Sequence, residues 1–189
     1  MNSKPPDRDT IIDFILDLFA RRGSEEYMGE AVSMAQHMEQ SAACAAAAGA
    51  SDELVIASLL HDIGHFVGDF PVEALENGID NQHEDAGAHF LEHFYPASIT
   101  EPIRLHVAAK KYLCAVDENY LHRLSDASIN SLQVQGGPMS PTEVEEFESN
   151  PHYLAAVDVR KYDDDGKVAG LDIRPVASYR DKLESLLLA

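Results

Sequence analysis

The most informative stretch of this chain is residues 59–65, which read Leu59-Leu60-His61-Asp62-Ile63-Gly64-His65. The apolar residues before His61 predict a buried helix with an imidazole and a carboxylate at its end. Burying such polar groups is costly unless they are paired, and a metal cation would pair with both of them. Further candidate ligands occur at wide intervals along the chain: His37, His83, His106 and Asp163.

The types of these six side chains indicate which metals would suit them. Imidazole and carboxylate ligands together suit iron, manganese, zinc and similar ions, and one carboxylate can bridge two ions. A single histidine at a helix end has an ordinary structural explanation. Six candidate ligands in one chain favour a metal site instead.

The charge balance of the chain argues against several classes of partner. The 189 residues contain 14 Lys+Arg and 33 Asp+Glu, which gives a formal net charge of −19. Because such a surface repels phosphate groups, we expect neither nucleic acid nor an anionic membrane as a partner. Two cysteines, Cys44 and Cys114, are too few for a disulfide framework and fit a cytoplasmic protein. No pattern indicates the oligomeric state.

Hydrophobic periodicity predicts an all-α fold with one domain over residues 1–189. The metal-binding core should cover about residues 27–163, and a C-terminal packing helix about residues 175–188. The other helices are expected at about residues 11–22, 30–48, 51–62, 83–93, 102–113, 119–132 and 152–162, with a short one opening at Ser140. Glycine and proline predict a loop or short lid over residues 66–81, and alternation at residues 157–159 leaves a strand as an alternative there.

Helical spacing brings some candidate residues together without any assumption about tertiary structure. His61 and His65 are four residues apart, as are His106 and Lys110, so each pair can project to one side of a helix. Ligands that come from separate helices and converge in the interior are how helical bundles build metal sites.

The order of the candidate ligands resembles that of the HD-domain superfamily, whose motif is matched here by His37, His61-Asp62 and Asp163. His83 and His106 match the two histidines that two-metal members add. A closer resemblance is to the mixed-valent diiron oxygenases of the PhnZ/TmpB type, which cleave the carbon–phosphorus bond of hydroxyphosphonates. It rests on residues 27–31, 82–84, 106–113, 124–128 and 135–139, and on His65, where other HD branches generally carry lysine.

The resemblance implies a site with two iron ions in a mixed Fe(II)/Fe(III) state and O2 as co-substrate. One iron would be held by His37, His61, Asp62 and Asp163, and the other by His83, His106 and the bridging Asp62. Tyr27 would ligate the second iron until substrate displaces it, with Glu30 holding or replacing it, and His65 would lie beside the substrate. The phosphonate-binding set would be Lys110, Ser128, Gln135 and Arg160.

Three of these residues also have ordinary structural explanations. Lys110, followed by Lys111, could form a solvated helix face, and Tyr27 could be a core aromatic. Arg160 could simply pair with Asp158 or Asp164.

The resemblance implies oxidative cleavage of (R)-1-hydroxy-2-aminoethylphosphonate or its N-trimethyl analogue, giving phosphate and glycine or glycine betaine. The sequence leaves open which amine is used. The alternative is an HD-type metal-dependent phosphohydrolase acting on a small phosphate ester or nucleotide, in which two metals activate water. A non-catalytic HD sensor is a third class, and the complete ligand set argues against it.

Overall fold

The structure is a computed structural model that describes residues 5–68 and 82–189, and within these ranges it is built from α-helices. This confirms the all-α prediction. The helices are α1 (Ile11–Arg22), α2 (Met34–Ala47), α3 (Asp52–Leu60), α4 (Gly64–Val67), α5 (His83–Leu91), α6 (Ala97–Val116), α7 (Asp126–Val134), α8 (Pro141–Glu148), α9 (Tyr153–Asp165) and α10 (Arg180–Ser185). Short 3-10 turns occupy Leu121–Arg123 and Val176–Tyr179.

Helices α2, α3, α6 and α9 form the frame of the molecule. Helix α2 packs against α3 and α9, while α6 packs against α3, α5 and α9. Their shared interior is apolar, with Met38, Ile56, Leu59 and Leu60 fully buried. Helix α10 covers α1 and α3, and the Tyr95 hydroxyl donates a hydrogen bond to the carbonyl of Leu183 in α10 at 3.2 Å. The C-terminal segment therefore packs against α1, α3 and Tyr95.

The second helix begins later than residue 30, where apolar spacing placed its start. Ser33 caps α2 because its side chain accepts a hydrogen bond from the backbone N–H of Gln36, whose side chain accepts one from the N–H of Ser33. Such a capping box satisfies two backbone donors and fixes the first turn of a helix. Residues 27–33 consequently form a loop.

Two further helices differ from their predicted bounds. The helix expected over residues 119–132 is broken, because Ser125 caps a new helix by accepting from the N–H of Ser128 at 3.2 Å. Helix α6 begins at Ala97, upstream of the predicted start at Pro102, which lies inside the helix. Residues 157–159 lie within α9, so the strand alternative there is wrong.

The predicted loop over residues 66–81 lies mostly outside the described residues. Of that stretch, Phe66 and Val67 end the short helix α4 and Gly68 follows it. None of the helices in the described ranges is long and apolar enough to cross a membrane. Cys44 and Cys114 are free thiols.

Candidate metal centre and anion pocket

Five separate segments bring the six candidate metal ligands to one place in the interior. Helices α2, α5, α6 and α9 each supply one ligand, and the turn that ends α3 supplies two. All six side chains are buried: His37, His61, Asp62, His83, His106 and Asp163. The predicted convergence of ligands from different helices is therefore present.

Asp62 is the centre of this cluster. One of its oxygens, Oδ2, lies 3.5 Å from Nε2 of His37 and 3.4 Å from Nε2 of His61. The other, Oδ1, lies 3.2 Å from Nε2 of His83 and 3.5 Å from Nε2 of His106. The two oxygens thus face two different histidine pairs, which is the arrangement of a carboxylate that bridges two cations.

Asp163 adds a second carboxylate to the first histidine pair. Its Oδ1 lies 3.4 Å from Nε2 of His37, and its Oδ2 lies 3.9 Å from Nε2 of His61. Although burial opposes ionisation, the neighbouring Arg160 holds the pKa of Asp163 well below its usual range. The Nε2 atoms of the first histidine pair therefore face two carboxylates and those of the second pair face one, while Glu84 lies 3.4 Å from Nδ1 of His83.

The hydrogen bonds of the histidines leave their Nε2 atoms for a cation. The Nδ1 atoms of His37, His61 and His106 lie 3.0, 2.8 and 2.7 Å from backbone carbonyl oxygens, so each must carry the proton. In the neutral ring Nε2 then holds a lone pair, yet Nε2 of His37 is 3.1 Å from that of His61, and Nε2 of His83 is 3.2 Å from that of His106. The facing nitrogens of each pair therefore need a proton or a metal cation between them.

The buried carboxylates of the cluster also require a cation. Asp62 Oδ2 and Asp163 Oδ1 are buried and have no hydrogen-bond partner among the described residues. Burial lowers the pKa of His37, but the nearby negative carboxylates of Asp163 and Asp62 outweigh it and raise this pKa to about 9. The donor set therefore fits two metal ions that share Asp62, with nitrogen and oxygen ligands suited to iron.

Tyr27 and Glu30 lie at the two ends of a tight turn beside this cluster. The N–H of Glu30 donates to the carbonyl of Tyr27 at 2.7 Å, and the intervening Met28 and Gly29 have φ angles of 46° and 80°. Positive φ at both central residues is typical of a type I′ turn. The Tyr27 ring stacks on His37 with centroids 3.9 Å apart, and Glu30 Oε1 is buried without a hydrogen-bond partner among the described residues.

His65 lies on α4 against the second histidine pair. Its ring stacks on His83 with centroids 4.2 Å apart, and its Nε2 is buried without a hydrogen-bond partner among the described residues. Burial, and then the nearby His83, lower the pKa of His65 to about 3. His65 is therefore a neutral imidazole. Its role beside a substrate stays a prediction.

A cavity opens next to the cluster and is lined on one side by cationic and hydroxyl side chains. Its polar lining includes Tyr27, Glu30, Asp62, His83, His106, Lys110, Ser128, Ser131, Gln135, Arg160, Asp163 and Lys167. Lys110 is buried and donates to Ser131 Oγ at 2.7 Å, so the solvated-face alternative for Lys110 is wrong. Burial, and then the charge of Arg160, lower the pKa of Lys110 to about 7. Gln135 Oε1 is buried without a hydrogen-bond partner among the described residues.

Arg160 lines the cavity and is also paired with carboxylates of the protein. Its guanidinium pairs with Asp164, as the structural alternative proposed, and also with Asp163 at 2.7 Å. It lies 3.4 Å from Ser128 Oγ and donates from Nε to the Tyr120 hydroxyl at 3.0 Å. Arg160 therefore connects the cavity with a candidate metal ligand.

Sequence reasoning missed three residues of this site. Ser131 accepts from Lys110, Tyr120 accepts from Arg160, and Lys167 lines the cavity. The spacing of three between Ser128 and Ser131 is a helical signal that could have identified Ser131. Lys167 lies beyond the end of α9, where helical spacing carries no information.

Comparisons with known proteins agree with this geometry. The HD-domain family profile matches residues 32–121. The chain is 49% identical over 165 residues to [1-hydroxy-2-(trimethylamino)ethyl]phosphonate dioxygenase (glycine-betaine-forming) of Leisingera caerulea. This match covers 87% of this chain and 84% of that protein. It is 42% identical over 166 residues to hydroxymethylphosphonate dioxygenase of Gimesia maris, covering 86% of this chain and 82% of that protein.

A third relative is an uncharacterized protein of Acanthamoeba polyphaga mimivirus, which is 32% identical over 172 residues, covering 90% of this chain and 78% of that protein. The matches to both dioxygenases extend well beyond the HD region. The chain therefore belongs to the HD-domain family and, within it, to the phosphonate dioxygenases of the PhnZ/TmpB type.

Proposed function

We propose that this protein is an O2-dependent diiron oxygenase that cleaves the carbon–phosphorus bond of 1-hydroxy-2-(trimethylammonio)ethylphosphonate or of its primary-amine analogue, (R)-1-hydroxy-2-aminoethylphosphonate. The observation that carries the proposal is the position of Asp62 between two histidine pairs, at the wall of a cavity lined by buried cations. The products would be phosphate and glycine betaine, or phosphate and glycine.

The chain offers ligands for two iron ions. His37, His61, Asp62 and Asp163 would hold one ion, and His83, His106 and the shared Asp62 the other. When bound, the mixed-valent pair would supply the one-electron chemistry that lets O2 oxidise C1 of the substrate. In the balanced reaction the C1–H and C–P bonds break, one O2 supplies the two oxygen atoms that are gained, and a carboxylic acid and phosphate are formed.

The cavity supplies the groups that would bind and orient a phosphonate. Lys110 and Arg160 would face its charged oxygens, and Ser128 and Gln135 would add neutral hydrogen bonds. Charge-assisted hydrogen bonds of this kind hold an anion in one orientation, which places C1 beside the metal ligands. This assignment is supported by the burial of Lys110 beside a neutral serine, because a buried ammonium group without a directly bonded carboxylate is costly unless an anion pairs with it.

Glu30 and Tyr27 would act at the other functional group of the substrate. The buried carboxylate oxygen of Glu30 can pair with an ammonium group, and the aromatic face of Tyr27 can contact a trimethylammonium group. We also propose that the Tyr27 hydroxyl occupies a metal position in the resting enzyme until substrate displaces it. Burial and the charge of Asp62 raise the pKa of Tyr27, so its proton would leave only when metal is present.

A phosphohydrolase would use the same ligands differently. Two metal ions can activate water for attack on a phosphate ester, so the donor set alone suits hydrolysis as well. Hydrolysis does not need Tyr27, Glu30 or His65 at their present positions, and the two dioxygenase relatives favour oxidation.

The proposal is tested by measuring phosphate release and O2 consumption together. The protein is loaded with iron under anaerobic conditions and given each of the two amine substrates, with and without O2. We expect one O2 consumed for each phosphate released, with the preferred amine identified by the larger kcat/KM. Asp62→Ala should be inactive, while Asp158→Ala, a change at an exposed carboxylate of α9, should be active. Phosphate release that does not require O2 would contradict the proposal.

A further inference from the structure

We infer that Lys167 is a substrate-binding residue that provides the third cation of the anion pocket. This inference rests on the proposed function and deepens it. Lys167 follows Gly166 at the end of α9, and its side chain is only 11% exposed. It lines the same cavity as Lys110 and Arg160, and its Nζ donates to Ser128 Oγ at 3.1 Å.

The positive charge of Arg160 is already engaged by the protein. Its guanidinium donates to Asp163 at 2.7 Å, to Asp164, and to the Tyr120 hydroxyl at 3.0 Å. Two of these partners are carboxylates, and their negative charges neutralise much of the positive charge that Arg160 would present to the cavity. Arg160 therefore offers a bound anion only part of its charge, because it also holds Asp163 and Asp164.

The two lysines have weaker partners. Lys167 Nζ is 3.6 Å from Asp163 and 3.9 Å from Asp164, beyond ordinary hydrogen-bond distance, and its hydrogen bond is to a neutral serine. Lys110 likewise donates to a neutral serine, Ser131. Each ammonium group has three donors, so both retain donors for a ligand.

The arrangement of these groups matches a dianion with three oxygens. Ser128 and Ser131 are neighbours on one face of α7, and they bring Lys167 and Lys110 to the same wall of the cavity. Three cations, Lys110, Arg160 and Lys167, line the cavity together with three carboxylates, Glu30, Asp62 and Asp163. Asp62 and Asp163 are candidate metal ligands, so metal ions would take up their charge, and Arg160 is paired with Asp163 and Asp164. A phosphonate, with its two negative charges, would then pair with the ammonium groups of Lys110 and Lys167.

Lys167 also lies next to Tyr27. Its Nζ is 5.9 Å from the centre of the Tyr27 ring, which stacks on the candidate ligand His37. Lys167 thus contacts both the serine that lines the anion pocket and the aromatic ring beside the metal cluster. No other lysine in the described part of the chain has both contacts.

The test measures the affinity of the iron-loaded protein for inorganic phosphate by calorimetry, which needs no turnover. Lys167→Met should weaken phosphate binding by roughly tenfold to a hundredfold, the usual effect of losing a charge-assisted hydrogen bond. Lys161→Met is the matched control, because Lys161 lies on α9 as an exposed partner of Asp158 at 3.5 Å and its removal changes the net charge equally. It should bind phosphate as the wild type does. KM for the hydroxyphosphonate should rise with the phosphate Kd, and Lys167→Arg should restore most of the affinity.

Unchanged phosphate binding in Lys167→Met, or equal weakening in Lys161→Met, would overturn the inference. If Lys167→Met loses iron, Lys167→Gln replaces it: weaker phosphate binding at full iron content supports the inference, and unchanged binding overturns it. Loss of iron in both variants would also overturn it, because Lys167 would then be a structural partner of Asp163. A wild-type protein that binds phosphate but releases none from hydroxyphosphonates would contradict the proposed function and leave the test of Lys167 valid.

Discussion

At the scale of single residues, the site depends most on Asp62, because its two oxygens face different histidine pairs. Replacing Asp62 with alanine should therefore remove both metal ions, whereas loss of a ligand to one ion should leave the other bound. Metal analysis of the purified variant checks this, with Asp158→Ala as a control that changes the charge equally at an exposed position. Full iron content in Asp62→Ala would contradict the bridging assignment.

Lys110 should make substrate binding depend on pH. Burial, and then the charge of Arg160, lower its pKa from 10.5 to about 7, so in the free protein the ammonium group loses its proton as the pH rises through this value. A neutral amine cannot pair with the phosphonate, so kcat/KM should fall above about pH 7. Lys110→Met should have a KM about tenfold higher or more and should lack this part of the pH profile.

The control for the pH prediction is Lys111→Met, which removes the same charge from the neighbouring position, where the side chain is partly exposed. It should keep the wild-type profile. The substrate has its own ionisation, which affects all three proteins equally. An identical pH profile in wild type and Lys110→Met would return Lys110 to a purely structural role.

At the scale of elements, the ends of helices explain what the sequence could and could not predict. Apolar spacing identified the interiors of α1, α3 and α9 because burial of one helix face imposes that spacing. It failed at the start of α2 and inside residues 119–132, where Ser33 and Ser125 bind backbone N–H groups and start new helices. The turn from Tyr27 to Glu30 comes just before Ser33. The wrong start of α2 therefore affected candidate site residues.

The contact between α4 and α5 is close because both helices have a glycine there. A Cβ at Gly64 would overlap the carbonyl group of His83 and lie 2.9 Å from the N of Gly87. Since backbone atoms cannot yield cheaply, Gly64→Ala should destabilise the protein by about 2–4 kcal/mol and reduce metal binding at His83. Gly87→Ala is a milder variant for comparison, because its Cβ would lie 3.1 Å from Gly64 N. It should therefore lower the free energy of unfolding by less than Gly64→Ala.

Urea unfolding and metal analysis measure both effects of the glycine variants. The expected order of stability is wild type, then Gly87→Ala, then Gly64→Ala. If Gly64→Ala has the stability and metal content of the wild type, α4 and α5 can move apart without a loss of stability. The close packing would then not determine the position of His83.

At the scale of the whole molecule, the fold and the convergence of the candidate ligands were predictable, and the polar network around them was not. Ligands on separate helices must meet in the interior of an all-α bundle, so His37, His61, His83 and His106 could be assigned together. Tyr120 and Arg160, by contrast, are distant in sequence and meet only through the packing of α9 against the segment that precedes α7. No periodicity records such a contact, and Lys167 was missed for the same reason.

The buried cluster should also make the stability of the whole molecule depend on metal. Without cations, close imidazole nitrogens and two ionised carboxylates are buried together, and a metal that binds only the folded state stabilises it by mass action. Treatment with a chelator should lower Tm by about 5 °C or more, and added iron should restore it. Asp62→Ala should show no such shift. Equal Tm values for the metal-loaded and chelated wild type would contradict a metal centre in the core.

The central claim is that this site oxidises its substrate and does not hydrolyse it, and isotope labelling tests this most directly. The iron-loaded protein is supplied with the hydroxyphosphonate and with isotopically labelled O2 in ordinary water, and the products are analysed by mass spectrometry. We expect the carboxylic acid product to carry an oxygen atom from O2, and we expect no phosphate to be released when O2 is absent. Phosphate released without O2, or an organic product that carries no oxygen from O2, would contradict oxidation and identify a hydrolase.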